Sequence, residues 1–324
     1  MSATNPTFSV IICHYNDADY LSGGLARVFG QTRPPDQVIL VDDGSDPDQR
    51  AIVETAVRAY PDLEVVWQPS NLGVVTAGNA GLAKADGDFV AWWSVDDHIS
   101  PDLLAEAERA AIAHPDAGVI SSETDVAYEV NGELVPAYTH RYGLDSSRLF
   151  VSGEDLATLQ SWRYVWLASS GAFLRRDALE SGIGWRPELD WFADWAALYD
   201  VANRHGAVLV GRPLSTVLRR PDSFSGKARA DKQKTRAVVR GYLDWVRGPE
   251  SGDMGAALRR GPQALGHALG RLLLRAAWCR PSDWRLLCSV AWGYGARRRR
   301  GGPDIPIAWL LKRNGLERHR DKSP

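Results

Sequence analysis

The 324-residue sequence has only three cysteines, and it has no apolar run long enough to cross a membrane. Cys13, Cys279 and Cys288 lie far apart or inside apolar runs, which excludes paired metal-ligand spacing and a disulfide framework. A membrane-spanning helix needs about 20 consecutive apolar residues. Residues 1–7 also lack the basic and apolar regions of a secretory signal. These absences lead us to expect a cytoplasmic protein.

Repeats and low-complexity tracts are absent as well, but charge is distributed unevenly. From Lys227 onward, 22 Lys and Arg stand against 8 Asp and Glu, whereas residues 1–226 have 16 against 32. Near this point the composition changes to Ala, Leu, Arg and Trp at helical spacing. We therefore expect an α/β domain at 1–225 and a basic helical region at 226–324.

Short apolar runs alternate with helical patterns in the first part of the chain, which is typical of a parallel sheet with crossover helices. We predict strands at 8–13, 37–41, 63–68, 88–93 and 118–121. Asn131 and Gly132 predict a β-hairpin, and 194–204 reads as a later helix.

Two helix starts have specific signals. Asp46, Pro47 and Gln49 predict a capping box ahead of 51–59. Ser100, followed by a proline, predicts the start of the next helix in the same way.

Three polar clusters follow predicted strands, at 13–16, 42–45 and 94–98. Because the carboxyl ends of parallel strands meet at one edge of a sheet, we expect these clusters to converge there. Adjacent carboxylates after a buried strand repel each other unless a cation or hydrogen-bond donors compensate them. Mg²⁺ or Mn²⁺ bridging a diphosphate is the simplest solution. Taken alone, 42–45 is equally well a turn, and Asp96 and Asp97 are plausible helix-start acids.

The order and spacing of these motifs resemble glycosyltransferase family 2, which has the GT-A fold. The matching strings are FSVIICHYN at 8–16, VILVDDGS at 38–45, NLG at 71–73, NAG at 79–81, ADGD at 85–88 and WSVDD at 93–97. The resemblance covers about residues 8–105, and more loosely extends to about 225. It implies a Rossmann-like, mostly parallel sheet flanked by helices, with a nucleotide-sugar half at about 1–122 and an acceptor half at about 123–225.

The resemblance also implies roles for individual residues. The expected nucleotide contacts are Tyr15, Asn16, Asp43, Asn71, Gly73 and Asp96. Asp97, together with Asp96, is expected to bind the metal ion, although Ser94 stands where the family usually has a further Asp. Arg219 and Arg220 fall where the family often places a basic residue near the phosphates, but surface charge is an equal alternative.

A general base is expected near the start of the later helix. An inverting transferase needs one carboxylate to accept the proton of the acceptor hydroxyl. By resemblance this is Asp194, with Asp190 as the alternative, and Ala193 replaces the usual Glu. Gly171 either allows the backbone to approach the sugar or forms a plain tight turn. Five tryptophans of this region stack on sugars or, more commonly, form core: Trp162, Trp166, Trp185, Trp191 and Trp195.

The basic segment 265–300 mixes Leu, Ala and Trp with Arg and ends in four arginines. This pattern is typical of an amphipathic helix on an anionic membrane, here the inner face of the plasma membrane, and equally of an appendage packed on the acidic half. Nucleic acid is not an expected partner, because no recognised binding module accompanies the charge.

We expect an inverting, metal-dependent hexosyltransferase that uses a nucleotide-diphosphate sugar, a UDP-sugar above all. The expected acceptor is a glycan or polyprenyl-linked glycan, in cell-surface polysaccharide or glycoconjugate synthesis. One alternative is a non-catalytic, sugar-nucleotide-binding or membrane-tethered scaffold, motivated by Ser94 and Ala193. Another is a sugar-1-phosphate nucleotidyltransferase, but residues 14–17 are not the Gly-rich phosphate loop that it needs.

Overall fold

The computed structural model describes residues 5–130, 133–163, 165–220 and 231–248, together with 223–224, 227–228 and 306–307. Within these residues, the strands form one sheet flanked by helices, as the sequence predicts, but the sheet is mixed rather than mostly parallel. The strands are β1 Phe8–His14, β2 Gln37–Asp42, β3 Leu63–Trp67, β4 Phe89–Ser94, β5 His98–Ile99, β6 Val119–Val130, β7 Glu133–His140, β8 Arg148–Val151, β9 Ala172–Arg175 and β10 Ala207–Arg219. The helices are α1 Ala18–Phe29, α2 Pro47–Arg58, α3 Val74–Leu82, α4 Leu103–Ala113, α5 Gly153–Trp162, α6 Arg176–Glu180, α7 Ala193–His205 and α8 Lys232–Arg247. Two 3₁₀ turns, Ser169–Gly171 and Pro187–Phe192, precede β9 and α7.

The N-terminal half of the sheet is parallel. Its strands lie in the order β3, β2, β1, β4, with Ile11 of β1 beside Ile39 of β2 and Trp92 of β4. Both faces of β1 and β2 are covered, so these strands are almost continuously apolar, as buried parallel strands are. The sequence predicts each of these four strands to within two residues.

The second half of the sheet is mixed. It continues β9, β6, β10, β5, and β9 runs antiparallel to both β4 and β6, whereas β6 and β10 are parallel. The predicted parallel arrangement therefore holds for the half of the sheet that contains β1 to β4. β6 and β7 form the predicted hairpin, with Val130 opposite Glu133. β6 continues without a break from the predicted strand at 118–121 into the first strand of the predicted hairpin, because β7 and β10 pair with its second half.

The predicted helix starts are only partly correct. α2 begins at Pro47 after Asp46, but the Asp46 side chain does not cap it. Asp46 instead accepts a hydrogen bond from Asn16 Nδ2 at 2.9 Å, and Gln49 accepts one from the Ala18 amide at 3.1 Å. The predicted capping box is wrong because a neighbouring loop takes both side chains.

The helix that is predicted to start at Ser100 also begins later than predicted. α4 begins at Leu103, after Asp102, and the Ser100 hydroxyl accepts only a long bond, 3.4 Å, from the Asp102 amide.

The core has one apolar cluster on each face of the sheet. α8 joins the cluster on the α7 side, where Val238, Val239 and Tyr242 are buried. At least this helix of the C-terminal region therefore packs on the α/β core. Among the described residues, no helix is both long and apolar enough to cross a membrane. The basic segment 265–300 lies outside the described residues.

Candidate functional site

The carboxyl ends of β1, β2 and β4 lie side by side at one edge of the sheet. Because these strands are parallel neighbours, the chain leaves the sheet there after His14, Asp42 and Ser94. The Asp43 amide donates to the His14 carbonyl at 2.8 Å, which joins the first two polar clusters directly. The structure thus brings together the three clusters that the sequence singles out.

Asn16 joins the loop after β1 to the loop after β2. Its backbone is left-handed, with φ of 49°, a conformation that Asn tolerates better than most residues. Its side-chain carbonyl accepts a hydrogen bond from the Asp46 backbone amide at 2.8 Å, and its backbone amide donates to Ser45 Oγ at 3.1 Å. The neighbouring Tyr15 side chain is 44% exposed. Tyr15 is therefore accessible beside a loop that hydrogen bonds hold in place.

A buried polar group lies under this loop, and the sequence analysis missed it. His14 Nδ1 is 3.0 Å from Asp42 Oδ2 and 3.2 Å from Ser45 Oγ, and the Ser45 amide donates to Asp42 Oδ1 at 3.0 Å. His14 and Asp42 are the last residues of adjacent parallel strands, in register with each other. That register is the signal that could have predicted the pair.

Asp43 anchors the loop at 71–73. Its two carboxylate oxygens accept hydrogen bonds from the amides of Leu72, at 2.8 Å, and Gly73, at 2.9 Å. The Gly73 amide also lies 3.0 Å from Asn71 Oδ1. Burial raises the pKa of Asp43 above its ordinary value, and the two amides offset this only in part. Three of the expected nucleotide contacts therefore form one hydrogen-bonded unit.

Two glycines allow loops of this edge to approach closely. Gly44 has φ of 70°, and a Cβ there would lie 2.2 Å from the carbonyl carbon of Ser70. Gly24 of α1 faces the loop after β4, where a Cβ would lie 2.5 Å from the Val95 carbonyl oxygen. No side chain fits at either position without a shift of backbone.

Arg220 compensates the charge of Asp96. Its Nε and Nη2 donate to Asp96 Oδ2 at 3.1 and 2.8 Å, and Nη2 also donates to Asp17 Oδ2 at 3.0 Å. Its guanidinium carbon lies 4.2 Å from the centroid of the Tyr20 ring. Asp96 itself is only 8% exposed. Arg220 therefore belongs to the site, and it ties the loop after β1 to the loop after β4.

Asp97 is compensated less than Asp96. One of its oxygens accepts a hydrogen bond from the Ser94 amide at 2.9 Å. Burial, together with the nearby carboxylates of Asp96 and Asp194, raises the pKa of Asp97 to about 8, and the Ser94 amide and Arg27 offset this only in part. A cation at this carboxylate would favour its ionised form. Ser94, which replaces the usual Asp of the motif, contributes its backbone amide.

Asp194 lies in the first turn of α7. Its Oδ2 accepts a hydrogen bond from Ser169 Oγ at 2.8 Å, and its Oδ1 accepts one from the Trp195 amide at 2.7 Å. The turn Ser169–Gly171, which holds Asp194 through Ser169, contacts β4, the strand that leads to Asp97. The expected base and the expected metal ligand therefore lie on neighbouring segments of the fold.

Asp190, the alternative base, has a different environment. Its Oδ2 lies 2.6 Å from Lys234 Nζ of α8, and its Oδ1 accepts a hydrogen bond from the Trp191 amide at 2.7 Å. The partner of Asp190 is thus a cation, whereas the Asp194 contacts given above are with a hydroxyl and a backbone amide.

The remaining acceptor-side candidates are mostly structural in their contacts. Gly171 lies in the 3₁₀ turn Ser169–Gly171, where a Cβ would meet the hydroxyl oxygens of Ser122 and Ser215 at 2.5 Å. Trp185, Trp191 and Trp195 are buried in the core, whereas Trp166 is partly exposed, with its ring 6.0 Å from the Arg219 guanidinium carbon. The Trp162 side chain is outside what the structure describes.

The chemistry of these side chains fits a hard divalent ion held by few protein groups. In the described part of the chain, no three His, Cys, Asp or Glu side chains converge as metal ligands. Mg²⁺ and Mn²⁺ sites in phosphate-binding enzymes commonly use one or two carboxylates and complete the shell with phosphate and water oxygens. Asp97, with Asp96 beside it, provides a ligand set of that kind.

Comparison with known sequences is consistent with this geometry. The family model described as "Glycosyl transferase family 2" matches residues 9–182. A cholesterol galactosyltransferase of Borreliella burgdorferi is 32% identical over 96 residues, which are 30% of this chain and 26% of that protein. The match thus spans about a quarter of that relative's length.

Two solved structures share the fold. A mannosyltransferase of Pyrobaculum calidifontis, in complex with GDP-Man and Mn²⁺, aligns with a TM-score of 0.57 and 19% identity, over 97% of this chain and 81% of that one. S. aureus TarS 1-349, in complex with UDP-GlcNAc, aligns with a TM-score of 0.58 and 17% identity, over 88% and 79% of the two chains. At these identities the likeness is one of fold, and it confirms the predicted GT-A architecture.

Proposed function

The chain belongs to glycosyl transferase family 2, and we propose that it moves a sugar from a nucleotide-diphosphate sugar to an acceptor hydroxyl, with a divalent metal ion. One observation carries the proposal. Asp96 and Asp97 follow β4 at the same edge of the sheet as the loop that begins at Tyr15, and the turn Ser169–Gly171, which holds Asp194, contacts β4.

The donor's nucleotide is proposed to lie against the loops after β1 and β2. Tyr15 is exposed there, Asn16 is fixed by its two bonds to Asp46, and Asp43 holds the amides of Leu72 and Gly73 beside Asn71. The structural neighbours were solved with GDP-Man and with UDP-GlcNAc, which supports a nucleotide-sugar donor. We propose a UDP-sugar.

The diphosphate is proposed to lie next to Asp97 and Asp96. These two residues would hold Mg²⁺ or Mn²⁺, and the ion would neutralise the charge of the departing diphosphate. Arg220 holds Asp96 through Oδ2, and the other oxygen of Asp96 is proposed to bind ribose or the metal ion. The Mn²⁺ in the Pyrobaculum structure supports this choice of ion.

Asp194 is proposed to be the general base. Its carboxylate accepts the proton of the acceptor hydroxyl while that oxygen attacks the anomeric carbon from the face opposite the diphosphate. The bond to the diphosphate then breaks, the configuration inverts and no covalent enzyme intermediate forms. Ser169 and the Trp195 amide orient the carboxylate for this step.

The acceptor is proposed to be a glycan or a polyprenyl-linked glycan, used in cell-surface polysaccharide or glycoconjugate synthesis at the inner face of the plasma membrane. In this proposal residues 1–225 are the catalytic domain, and the basic segment 265–300 contacts anionic lipid. The positive charge of that segment supports the lipid contact.

A non-catalytic nucleotide-sugar-binding protein is the competing proposal, since Ser94 and Ala193 depart from the family pattern. Turnover separates the two. A panel of nucleotide sugars that includes UDP-GlcNAc and GDP-mannose is incubated with the full chain, MnCl₂ and a panel of glycan acceptors, and released nucleotide diphosphate is measured. We expect release with at least one donor, and binding without release in every case would support the competing proposal.

Variants test the assigned residues. Asp97→Asn should weaken Mn²⁺-dependent binding of the nucleotide diphosphate in calorimetric titration, because the metal loses its ionised ligand. Asp194→Asn should leave that binding intact and slow release by about 100-fold or more, the usual contribution of a general base. Asp48→Asn, an exposed acid on α2, is the matched control. Unchanged release in both site variants would refute the assignment.

A further inference from the structure

Asp190 has an unusual backbone. It lies in the 3₁₀ turn Pro187–Phe192 with φ of 46° and ψ of −125°, a conformation that non-glycine residues rarely adopt. Such a conformation persists only where surrounding contacts impose it, and it often marks a functional site. This turn leads directly into α7, which carries Asp194 in its first turn.

The contacts that hold Asp190 come from its own turn and from α8. The Trp191 amide fixes one carboxylate oxygen at 2.7 Å, and Lys234 Nζ lies 2.6 Å from the other. Lys234 is itself held in the first turn of α8, because the Asp231 side chain accepts from the amides of Gln233 and Lys234 at 2.8 and 3.0 Å. The lysine therefore projects from a capped helix end.

A second contact of α8 lies on the other side of Asp194. The Tyr242 ring packs edge-on against Phe192, with centroids 5.0 Å apart, and also against Trp195 at 6.1 Å. Phe192 and Trp195 bracket Asp194 in the sequence and stack on each other at 4.5 Å. Helix α8 thus contacts both ends of the segment 190–195, through Lys234 at Asp190 and through Tyr242 at Trp195.

We propose that Lys234 is a positioning residue for the transfer reaction: through its ion pair with Asp190, helix α8 sets the direction in which Asp194 enters the cleft. This inference rests on the proposed role of Asp194 as base. It makes α8 part of the reaction machinery, although α8 lies beyond the family-model match at 9–182. Lys234 does not touch the reacting atoms. It acts through the backbone of the turn Pro187–Phe192.

The test compares Lys234→Gln with Lys234→Arg and with Lys232→Gln. Lys232 is an exposed lysine two residues earlier on the same helix and serves as the control. The full chain is used with UDP-GlcNAc or GDP-mannose and MnCl₂. A misplaced catalytic group costs up to about 100-fold in rate, so Lys234→Gln should lower kcat by about 10- to 100-fold. The KM for the donor and the affinity for UDP or GDP should remain within about twofold, because the contacts of Lys234 with Asp190 and of Tyr242 with Phe192 and Trp195 fall within the segment 190–195. Lys234→Arg should restore most of the rate.

A readout independent of turnover makes the test decisive. Hydrogen–deuterium exchange of the peptide that covers 187–196 should rise in Lys234→Gln and stay at the wild-type level in Lys232→Gln. Wild-type exchange together with wild-type kcat in Lys234→Gln would overturn the proposal. Equal losses in both glutamine variants, with lowered Tm, would also overturn it, because they would indicate a general role of α8 in stability. Failure of the wild type to bind UDP or GDP would instead contradict the proposed function. The exchange measurement would still test whether the Lys234–Asp190 ion pair holds the turn Pro187–Phe192.

Discussion

The acidic side chains of the cleft differ in how their charge is compensated. Asp43 accepts hydrogen bonds from two backbone amides, Asp96 accepts hydrogen bonds from Arg220, and Asp190 forms an ion pair with Lys234. Asp97 has one backbone amide and carboxylate neighbours, and its raised pKa, about 8, reflects that balance. Among the four, Asp97 thus has the strongest electrostatic reason to bind a cation.

Cys13 gives a prediction at the same scale. It lies at the carboxyl end of β1, where the Trp92 indole donates to its Sγ at 3.2 Å, and burial raises the pKa of its thiol to about 12. Since the thiolate is the reactive form, iodoacetamide at pH 8 should modify folded Cys13 roughly 1000-fold more slowly than the unfolded chain. Peptide mass spectrometry with and without urea measures this ratio. A ratio within tenfold of unity would contradict the burial that we describe.

Individual site residues were predictable where a motif carries them, and not where a tertiary contact does. The strings at 13–16, 42–45 and 94–98 locate the edge of the sheet where the cleft lies. The roles assigned to Tyr15, Asn71 and Asp194 stay predictions. No local pattern marks Asp17 or Lys234, because their partners are distant in the sequence: Asp17 pairs with Arg220, and Lys234 pairs with Asp190.

Among the elements, α1 depends on Gly24 for its position beside the loop after β4. Gly24→Ala would place a Cβ 2.5 Å from the Val95 carbonyl oxygen, so the helix or the loop must move. Overpacking of this kind costs about 1–3 kcal/mol of unfolding free energy. Urea denaturation should show that loss. Gly23→Ala is the control, because a Cβ there meets only the flexible end of Arg27 at 3.5 Å and should change stability little.

Periodicity predicted the existence of elements better than their ends. Apolar runs identify β1, β2 and β4 because both faces of these strands are buried, whereas β3, at the edge of the sheet, is only partly buried. The sequence predicts both ends of β6, as the strand at 118–121 and as the first strand of the hairpin. It does not reveal that they form one strand, because the residues between them are held by pairing with β7 and β10. The capping box failed for a similar reason, since Gln49 bonds to Ala18 of another helix.

For the whole molecule, ligand binding should be visible as stability. A ligand that binds only the folded state raises the unfolding free energy by RT ln(1 + [L]/Kd), which is about 2.7 kcal/mol at 100 times Kd. UDP or GDP with MnCl₂ should therefore raise Tm by several degrees, and nucleotide with EDTA should raise it less. Asp97→Asn should remove the difference between the two conditions, and an equal shift in the variant would place the metal elsewhere.

The hydrogen bonds from Arg220 to Asp17 and Asp96 limit how this chain can be recombined with its relatives. Asp17 and Asp96 come from the proposed nucleotide-sugar half, at about 1–122, and Arg220 comes from the proposed acceptor half, at about 123–225. A chimera joined at that boundary would leave two acids facing a foreign side chain unless the arginine is transplanted with them. The halves are therefore not interchangeable modules, and donor preference should be exchanged only in hybrids that carry this trio intact.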